Sequence, residues 1–375
     1  MSRLTSPIAA AFVAGVVVAG CTIQRAMPSA SGASGAPRTL ASLAFASSAF
    51  ASSTTPTMAE SASADDHMAH MNAADLSVPG SRPSRSGQDF PGLPASNNTA
   101  PARLKASPRH AEWVKIAWER GSADSIMAWV VYPTSPNARA KAPVVVVVHE
   151  IFGLSTWVRG VADQVAADGF IAIAPDFLSK VRGGPSNVEL PGDSARKLIA
   201  GVTSADRNRV INAAANYAMM LPSAKQKYAV IGYCWGGQTV FMHATNRGLK
   251  GFSGGVAFYG LPYTSGGSPA TATTAAVPAG INVDSIKKIK QPVMLLNGSK
   301  DARIAALMPS LESIMQANSK KYVGMNYEGA THGFLRAQDD PKATRDIAEE
   351  AANLAATKDG WPKTIVFLKK NLGVK

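Results

Sequence analysis

One cysteine lies where the sequence pattern predicts a nucleophile. Residues 228–237 read Tyr-Ala-Val-Ile-Gly-Tyr-Cys-Trp-Gly-Gly, an apolar strand pattern that runs into a glycine turn and the start of a helix. The pattern Gly-x-Cys-x-Gly is a nucleophile elbow in which Cys replaces Ser. The turn would hold the sulfur of Cys234 at a helix N-terminus, where unpaired N–H groups favour the thiolate. The alternative is a buried structural cysteine.

An acid and a histidine follow this cysteine in the order that such an elbow predicts. Residues 293–301 form an apolar strand pattern with Asp301 just past its end, and residues 322–332 form a strand pattern that leads to His332. His332 can take the thiol proton, and Asp301 can orient the imidazole. A histidine in such a loop is otherwise an ordinary surface residue. The three residues on three strand ends predict a Cys–His–Asp triad.

Attack on a carbonyl also requires two backbone N–H groups that stabilise the oxyanion. We expect one of them from Trp235, the residue after the nucleophile. We expect the other from Ile151, in the loop that follows the strand pattern at 144–148.

These residues require a sheet that brings several strand ends to one edge. The five valines at 144–148 are typical of a strand buried on both faces of a parallel sheet. Strand and helix patterns alternate, which predicts the α/β class and a mostly parallel, eight-stranded sheet with helices on both faces. The predicted strands are 113–118, 126–132, 144–148, 170–174, 228–232, 255–259, 293–296 and 322–327, and the predicted helices include 157–167, 206–221, 304–317, 347–356 and one that opens at 361–362.

The first 21 residues are expected to direct export. Arg3 precedes an uncharged apolar run at 8–19, which matches a secretory signal. The run ends in Val-Ala-Gly-Cys at Cys21, which resembles the lipobox of bacterial lipoproteins and predicts lipidation of Cys21 and anchoring to a membrane. Cleavage after Ala46 or Ala51, each at the end of an Ala-x-Ala site, is the alternative. Either route predicts a periplasmic or lipid-anchored protein.

Residues 22–107 are rich in Ser, Ala and Pro, and they are predicted to form a disordered linker to a single domain at 108–375. His67 and His70 in the linker suggest a metal site, and the alternative is a polar tether that contains two histidines. Within the domain, residues 261–284 show no periodicity. They are either a flap over the site or an inert surface insertion.

Composition excludes several classes of protein. Two cysteines rule out a disulfide framework and a thiol-rich zinc site, and no apolar run is long enough for a membrane span in the mature chain. The chain has 38 Lys and Arg against 25 Asp and Glu, a net charge of +13. The basic residues are scattered, which indicates a solvated surface that favours anionic ligands rather than nucleic acid. We expect a monomer with no metal and no organic cofactor.

Taken together, the motifs resemble the dienelactone hydrolase family, the carboxymethylenebutenolidases. The resemblance covers about 143–372. It rests on Glu-Ile-Phe-Gly at 150–153, Ala-Pro-Asp at 174–176, the elbow around Cys234, Tyr-Gly at 259–260 and His-Gly-Phe at 332–334. It implies an α/β-hydrolase fold and hydrolysis of a lactone or small activated ester, preferably anionic, through a thioester on the triad cysteine.

The resemblance also implies roles for three further side chains. Glu150 contacts the resting thiol and helps to generate the thiolate, although a residue that orients its loop is the alternative. Arg336, four positions after His332, binds the substrate carboxylate. Arg182 lies in the loop of a second family arginine, but Phe-Leu-Ser-Lys at 177–180 departs from the family pattern. This departure and the export signal leave two alternatives open, an exported carboxylesterase of different substrate range or a catalytically silent surface lipoprotein.

Overall fold

Strand β3 (Ala142–Val148) lies inside the main sheet. The protein is described by a computed structural model over residues 90–374, apart from 120, 135–139, 187–191, 268–270, 272, 274–278, 339–343 and 345. All five valines at 144–148 have no exposed surface. Because successive side chains of a strand point to opposite faces, both faces of the sheet are covered here. The predicted doubly covered sheet is confirmed.

The sheet has eight strands in the order β1-β2-β4-β3-β5-β6-β9-β10. Strand β2 pairs antiparallel with β1 and β4, and the other neighbours are parallel. The eight predicted strands are these eight, with ends that differ by a few residues. Besides β3, their bounds are β1 (Ala111–Ala117), β2 (Ser125–Val131), β4 (Ile171–Asp176), β5 (Ala224–Tyr233), β6 (Phe252–Phe258), β9 (Val293–Gly298) and β10 (Tyr322–Tyr327).

Helices connect the strands, and several begin at a side-chain cap. Ser155 accepts a hydrogen bond from the Val158 N–H, and Thr203 accepts one from the Asp206 N–H, so each cap satisfies a donor that the helix leaves unpaired. The helices among the described residues are α1 (Ala100–Ala106), α2 (Thr156–Ala167), α3 (Ser179–Arg182), α4 (Gly192–Ala200), α5 (Ser204–Met219), α6 (Trp235–Thr245), α7 (Val283–Lys288), α8 (Ala302–Ala317), α9 (Phe334–Ala337) and α10 (Ile347–Leu372).

The predicted start of a last helix at 361–362 is wrong. Helix α10 is continuous from Ile347 to Leu372, and Pro362 lies inside it. Proline removes one backbone hydrogen bond and usually ends or kinks a helix. Here residues on both sides of the proline, such as Ala356 and Leu368, are buried in the core. Packing of both halves against the domain therefore keeps the helix continuous.

The packed part of the chain begins earlier than the predicted boundary at 107. Leu93, Ala95 and Ala100 are buried, and Trp157 Nε1 donates a hydrogen bond to the Ala95 carbonyl at 3.1 Å. Arg103 donates to the Leu93 carbonyl, which fixes the turn before α1. We name residues 93–97 the N-terminal strap. The few apolar residues of this segment are sufficient to hold it in place, because each of them packs against the surface of the domain.

Three other predicted features lie partly or wholly outside the described residues. The insertion at 261–284 begins and ends in a short antiparallel pair, β7 (Thr264–Ser265) and β8 (Gly280–Ile281), and its middle is not described. Its role as a flap stays a prediction. The export signal with Cys21, and also His67 and His70, precede residue 90. Within the described part of the chain, no helix has the length and apolar character needed to cross a membrane.

Candidate active site

The turn between β5 and α6 holds Cys234 in a strained conformation. Cys234 has φ of 56° and ψ of −115°, a region that residues other than glycine rarely adopt. The glycines around it allow the backbone to approach closely. A Cβ on Gly232 would collide with the Gly236 carbonyl, and one on Gly237 would lie 2.5 Å from the Phe258 carbonyl. The sequence Gly-Tyr-Cys-Trp-Gly-Gly therefore folds as the predicted sharp bend.

The strained residue is fixed by hydrogen bonds on both sides. The Cys234 N–H donates to the Phe258 carbonyl at 3.0 Å, and the Cys234 carbonyl accepts from the Gln238 N–H at 3.1 Å. The first of these bonds joins the elbow to the end of β6, and the other closes the first turn of α6. Cys234 is fully buried.

The predicted acid and histidine are directly paired. His332 Nδ1 lies 2.6 Å from Asp301 Oδ2, and both side chains are almost buried. Asp301 is also the cap of α8, where its other oxygen accepts from the Ile304 N–H at 3.3 Å. Burial alone would raise the pKa of Asp301. The hydrogen bond and the charge of His332 outweigh burial and lower this pKa to about 2, so the carboxylate stays ionised.

The imidazole is in electrostatic contact with the cysteine. Burial alone would lower the pKa of His332, but the negative charge of Cys234 and the hydrogen bond with Asp301 raise it well above its ordinary value. The structure thus brings Cys234, His332 and Asp301 together at the carboxyl ends of β5, β10 and β9. The arrangement can stabilise a thiolate–imidazolium pair.

A second buried ion pair lies beside these residues. Glu150 is only 3% exposed, and its Oε2 is 3.3 Å from Arg336 Nε. Arg336 lies on α9, directly after the His332 loop, with its guanidinium carbon 5.6 Å from the centre of the Phe152 ring. A buried carboxylate is costly unless it is paired. The pair places a positive charge beside the Glu150 carboxyl group at the edge of the site.

The two predicted oxyanion donors, the N–H groups of Trp235 and Ile151, lie at the start of α6 and in the loop after β3. Trp235 is the first residue of α6, where backbone N–H groups have no acceptor within the helix. Its indole is held between the His149 ring, which stacks on it at 5.8 Å, and the Arg207 guanidinium, at 4.2 Å. Ile151 is fully buried in the loop after β3. Their function as an oxyanion hole remains a prediction.

Sequence reasoning missed the residue that fixes the Glu150 loop. His149 is fully buried, and its Nδ1 lies 2.5 Å from the Glu150 carbonyl while its Nε2 accepts from the Phe177 N–H at 3.0 Å. Burial lowers the pKa of His149. The neutral ring thus joins the Glu150 loop to the end of β4. The sequence signal for this role is the histidine itself, which stands immediately before Glu150.

Arg182 occupies the last position of α3, the short helix after β4, and it is half-buried. Its neighbour Lys180 pairs with Asp124 at 2.7 Å and lies 4.4 Å from the centre of the Trp118 ring. The part of Arg182 in substrate binding stays a prediction.

Comparisons with known proteins agree with the fold and with the motifs. Residues 126–372 match the model of the dienelactone hydrolase family. The chain is 32% identical over 235 residues to a "putative carboxymethylenebutenolidase" of Synechocystis sp., an alignment that covers 60% of this chain and 90% of that protein. It is 26% identical over 267 residues to a "probable 2-oxo-3-(5-oxofuran-2-ylidene)propanoate lactonase" of Bradyrhizobium sp, with coverage of 70% and 94%.

A solved structure shows the same fold. The crystal structure of a "putative dienelactone hydrolase" from Klebsiella pneumoniae has a TM-score of 0.54 and 22% identity, and the match covers 70% of this chain and 99% of that one. At this identity the likeness concerns the fold alone.

The electrostatic contact between Cys234 and His332 predicts a measurable coupling. NMR of the protein labelled with ¹⁵N-histidine should show His332 doubly protonated well above pH ~6.5, the ordinary midpoint for histidine. In Cys234→Ala the thiolate charge is lost, so the pKa of His332 should fall. The His332 signals are assigned by their absence in His332→Gln. An identical His332 titration in the wild type and in Cys234→Ala would contradict the proposed contact.

Proposed function

The chain belongs to the dienelactone hydrolase family and has its α/β-hydrolase fold, and we propose that it hydrolyses a lactone or small activated ester through a thioester on Cys234. The observation that carries the proposal is the grouping of a strained cysteine with the His332–Asp301 pair, whose atoms are 2.6 Å apart. The names of the relatives support lactones as the substrate class, since they include carboxymethylenebutenolidases and a lactonase.

The reaction has two stages, acylation of Cys234 and hydrolysis of the thioester. The Cys234 thiolate attacks the carbonyl carbon, and the N–H groups of Ile151 and Trp235 stabilise the oxyanion. The carbon–oxygen bond of the ring then breaks, and the leaving oxygen takes a proton from His332. Water next attacks the thioester and gives a proton to His332, and the thiolate leaves. Asp301 keeps the imidazole oriented and stabilises its charged form throughout.

Arg336 and Glu150 favour a substrate that carries a carboxylate. In the resting site Arg336 pairs with Glu150 at 3.3 Å. A substrate carboxylate that binds Arg336 competes with Glu150 for it. In enzyme molecules in which Cys234 is a thiol, the displaced Glu150 can then accept the thiol proton. The net charge of +13 adds a diffuse attraction for anions.

One observation favours a second candidate, an esterase for neutral substrates. In the loop after β4, Lys180 is engaged with Asp124 and Trp118. Because Lys180 is held in these contacts, Arg336 is then the main cation for a substrate carboxylate. Such a site would bind carboxylated substrates less selectively than a site with two converging arginines.

The thioester mechanism predicts that Cys234→Ala loses activity by at least ~10³-fold, because the nucleophile is removed. The assays use 4-carboxymethylenebut-2-en-4-olide and p-nitrophenyl acetate, with circular dichroism to check folding. Rapid quench and mass spectrometry should find an acyl group on the peptide that contains Cys234 in the wild type. Equal turnover by both proteins would defeat the mechanism, and a wild type inactive on both substrates would favour the silent lipoprotein.

The proposed role of Arg336 predicts that its replacement weakens the binding of carboxylated substrates selectively. Arg336→Met should raise the KM for the carboxylated lactone about 10- to 100-fold, the size of one charged hydrogen-bonded contact, and should change p-nitrophenyl acetate hydrolysis little. Because this variant also removes the ion pair with Glu150, the matched control is the double variant Glu150→Gln with Arg336→Met, compared with Glu150→Gln alone. Equal losses on both substrates would instead support the neutral esterase.

We further propose that the enzyme acts outside the cytoplasm, on the strength of the signal pattern at 1–21. If Cys21 is lipidated, mass spectrometry of the mature protein should show an acylated N-terminal cysteine, and Cys21→Ala should release the enzyme from membranes. A mature N-terminus just after Ala46 or Ala51 would indicate a soluble exported form. An intact residue 1 in the active protein would exclude export.

A further inference from the structure

Tyr259 adopts a backbone conformation that is rare among the described residues other than glycine. It follows β6 directly, with φ of 42°, and it is one of the residues other than glycine with positive φ. Such a conformation is unfavourable for an aromatic residue and persists only when the surroundings impose it. Its N–H donates to the Leu296 carbonyl at 2.7 Å. A Cβ on the next residue, Gly260, would lie 2.7 Å from the Cys234 carbonyl, so this turn packs directly on the elbow.

The Tyr259 ring lies against His332 and Phe334. Its centre lies 4.9 Å from that of the His332 ring and 5.6 Å from that of Phe334. The side chain is fully buried. Tyr259 is therefore a wall of the site at the imidazole.

The Tyr259 hydroxyl is buried without a hydrogen-bond partner among the described residues. A buried hydroxyl that makes no hydrogen bond destabilises the fold. Tyr228, on the same strand as the elbow but remote from it, shows the usual arrangement. Its hydroxyl bonds to His243 Nε2 at 2.9 Å and accepts from the Leu249 N–H at 2.8 Å. Tyr259 shares its unpartnered hydroxyl with Tyr233, directly before Cys234, and with Tyr322, at the start of β10. Of these three tyrosines, Tyr259 is the one whose ring lies against His332.

The charges around Tyr259 keep its hydroxyl a donor. Burial first, and then the nearby Glu150 carboxylate, raise the pKa of Tyr259 well above its ordinary value, and Arg336 and Cys234 also lie within electrostatic reach. The phenol stays protonated at neutral pH. It therefore has one O–H to offer to an acceptor on a ligand.

We propose that Tyr259 is a further catalytic residue, whose hydroxyl donates a hydrogen bond to an oxygen of the reacting ester or lactone group while Cys234 is acylated. The inference rests on the proposed function. It follows from three features that coincide at one residue, the strained backbone, the ring contact with His332 and the buried hydroxyl without a protein partner. The oxygen gains negative charge as the carbonyl is attacked, so the bond strengthens in the transition state.

The test is Tyr259→Phe, which removes only the hydroxyl, with Tyr228→Phe as the matched control. Enzyme in excess is mixed with p-nitrophenyl acetate, and single-turnover release of p-nitrophenolate reports the acylation of Cys234. We expect Tyr259→Phe to slow acylation about 10- to 100-fold, somewhat less than the loss of one oxyanion donor, and to leave the thermal midpoint unchanged or higher. Tyr228→Phe should lower the midpoint and leave acylation unchanged.

Alkylation by iodoacetamide separates chemistry on the ester from reactivity of the thiol, because the reagent has no ester oxygen to stabilise. The alkylation rate of Cys234 should be the same in Tyr259→Phe and in the wild type. Three outcomes would overturn the proposal: unchanged acylation, equal slowing of acylation and alkylation, or slower acylation with a lower thermal midpoint. If the wild type and Cys234→Ala release p-nitrophenolate equally, the thioester function itself has failed, which this comparison identifies separately.

Discussion

The site depends on ionised groups that are held out of water in fixed pairs. Asp301 pairs with His332 at 2.6 Å and Glu150 pairs with Arg336 at 3.3 Å, while the charge of Cys234 acts on the same imidazole. Each of these groups would be costly to bury alone. The fold places these oppositely charged groups in contact before any substrate arrives. Groups that are already held in place need no rearrangement when charge develops during a reaction.

Sheet register explains why the strained residues are neighbours. In the parallel pair of β5 and β6, Tyr233 lies opposite Phe258, so the next residues along each strand, Cys234 and Tyr259, leave the sheet side by side. Both have positive φ, and the Cys234 N–H is bonded to the Phe258 carbonyl. The core of the sheet, which is fully buried at this point, supplies the energy that holds two unfavourable backbone conformations.

The sequence allowed prediction of the features that local patterns determine. The valines at 144–148 indicate a buried parallel strand, and the glycines around Cys234 indicate a sharp turn, because each signal is contained within a few residues. The strands and the grouping of Cys234, Asp301 and His332 follow from such signals. Helix α10 was predicted in two parts because Pro362 is a local signal for a helix start, whereas the continuity of the helix depends on packing against distant strands.

The features that sequence patterns did not reveal depend on contacts between distant segments. The Asn97 N–H donates to the Arg336 carbonyl at 3.0 Å, and Gln338 Nε2 donates to the Pro94 carbonyl at 2.8 Å. The N-terminal strap that makes these bonds precedes the region matched by the family model, which begins at residue 126. The triad is thus positioned by the sheet, whereas the loop that carries Arg336 is also held by the strap. A change in the strap is therefore expected to move Arg336 while the elbow at Cys234 stays in place.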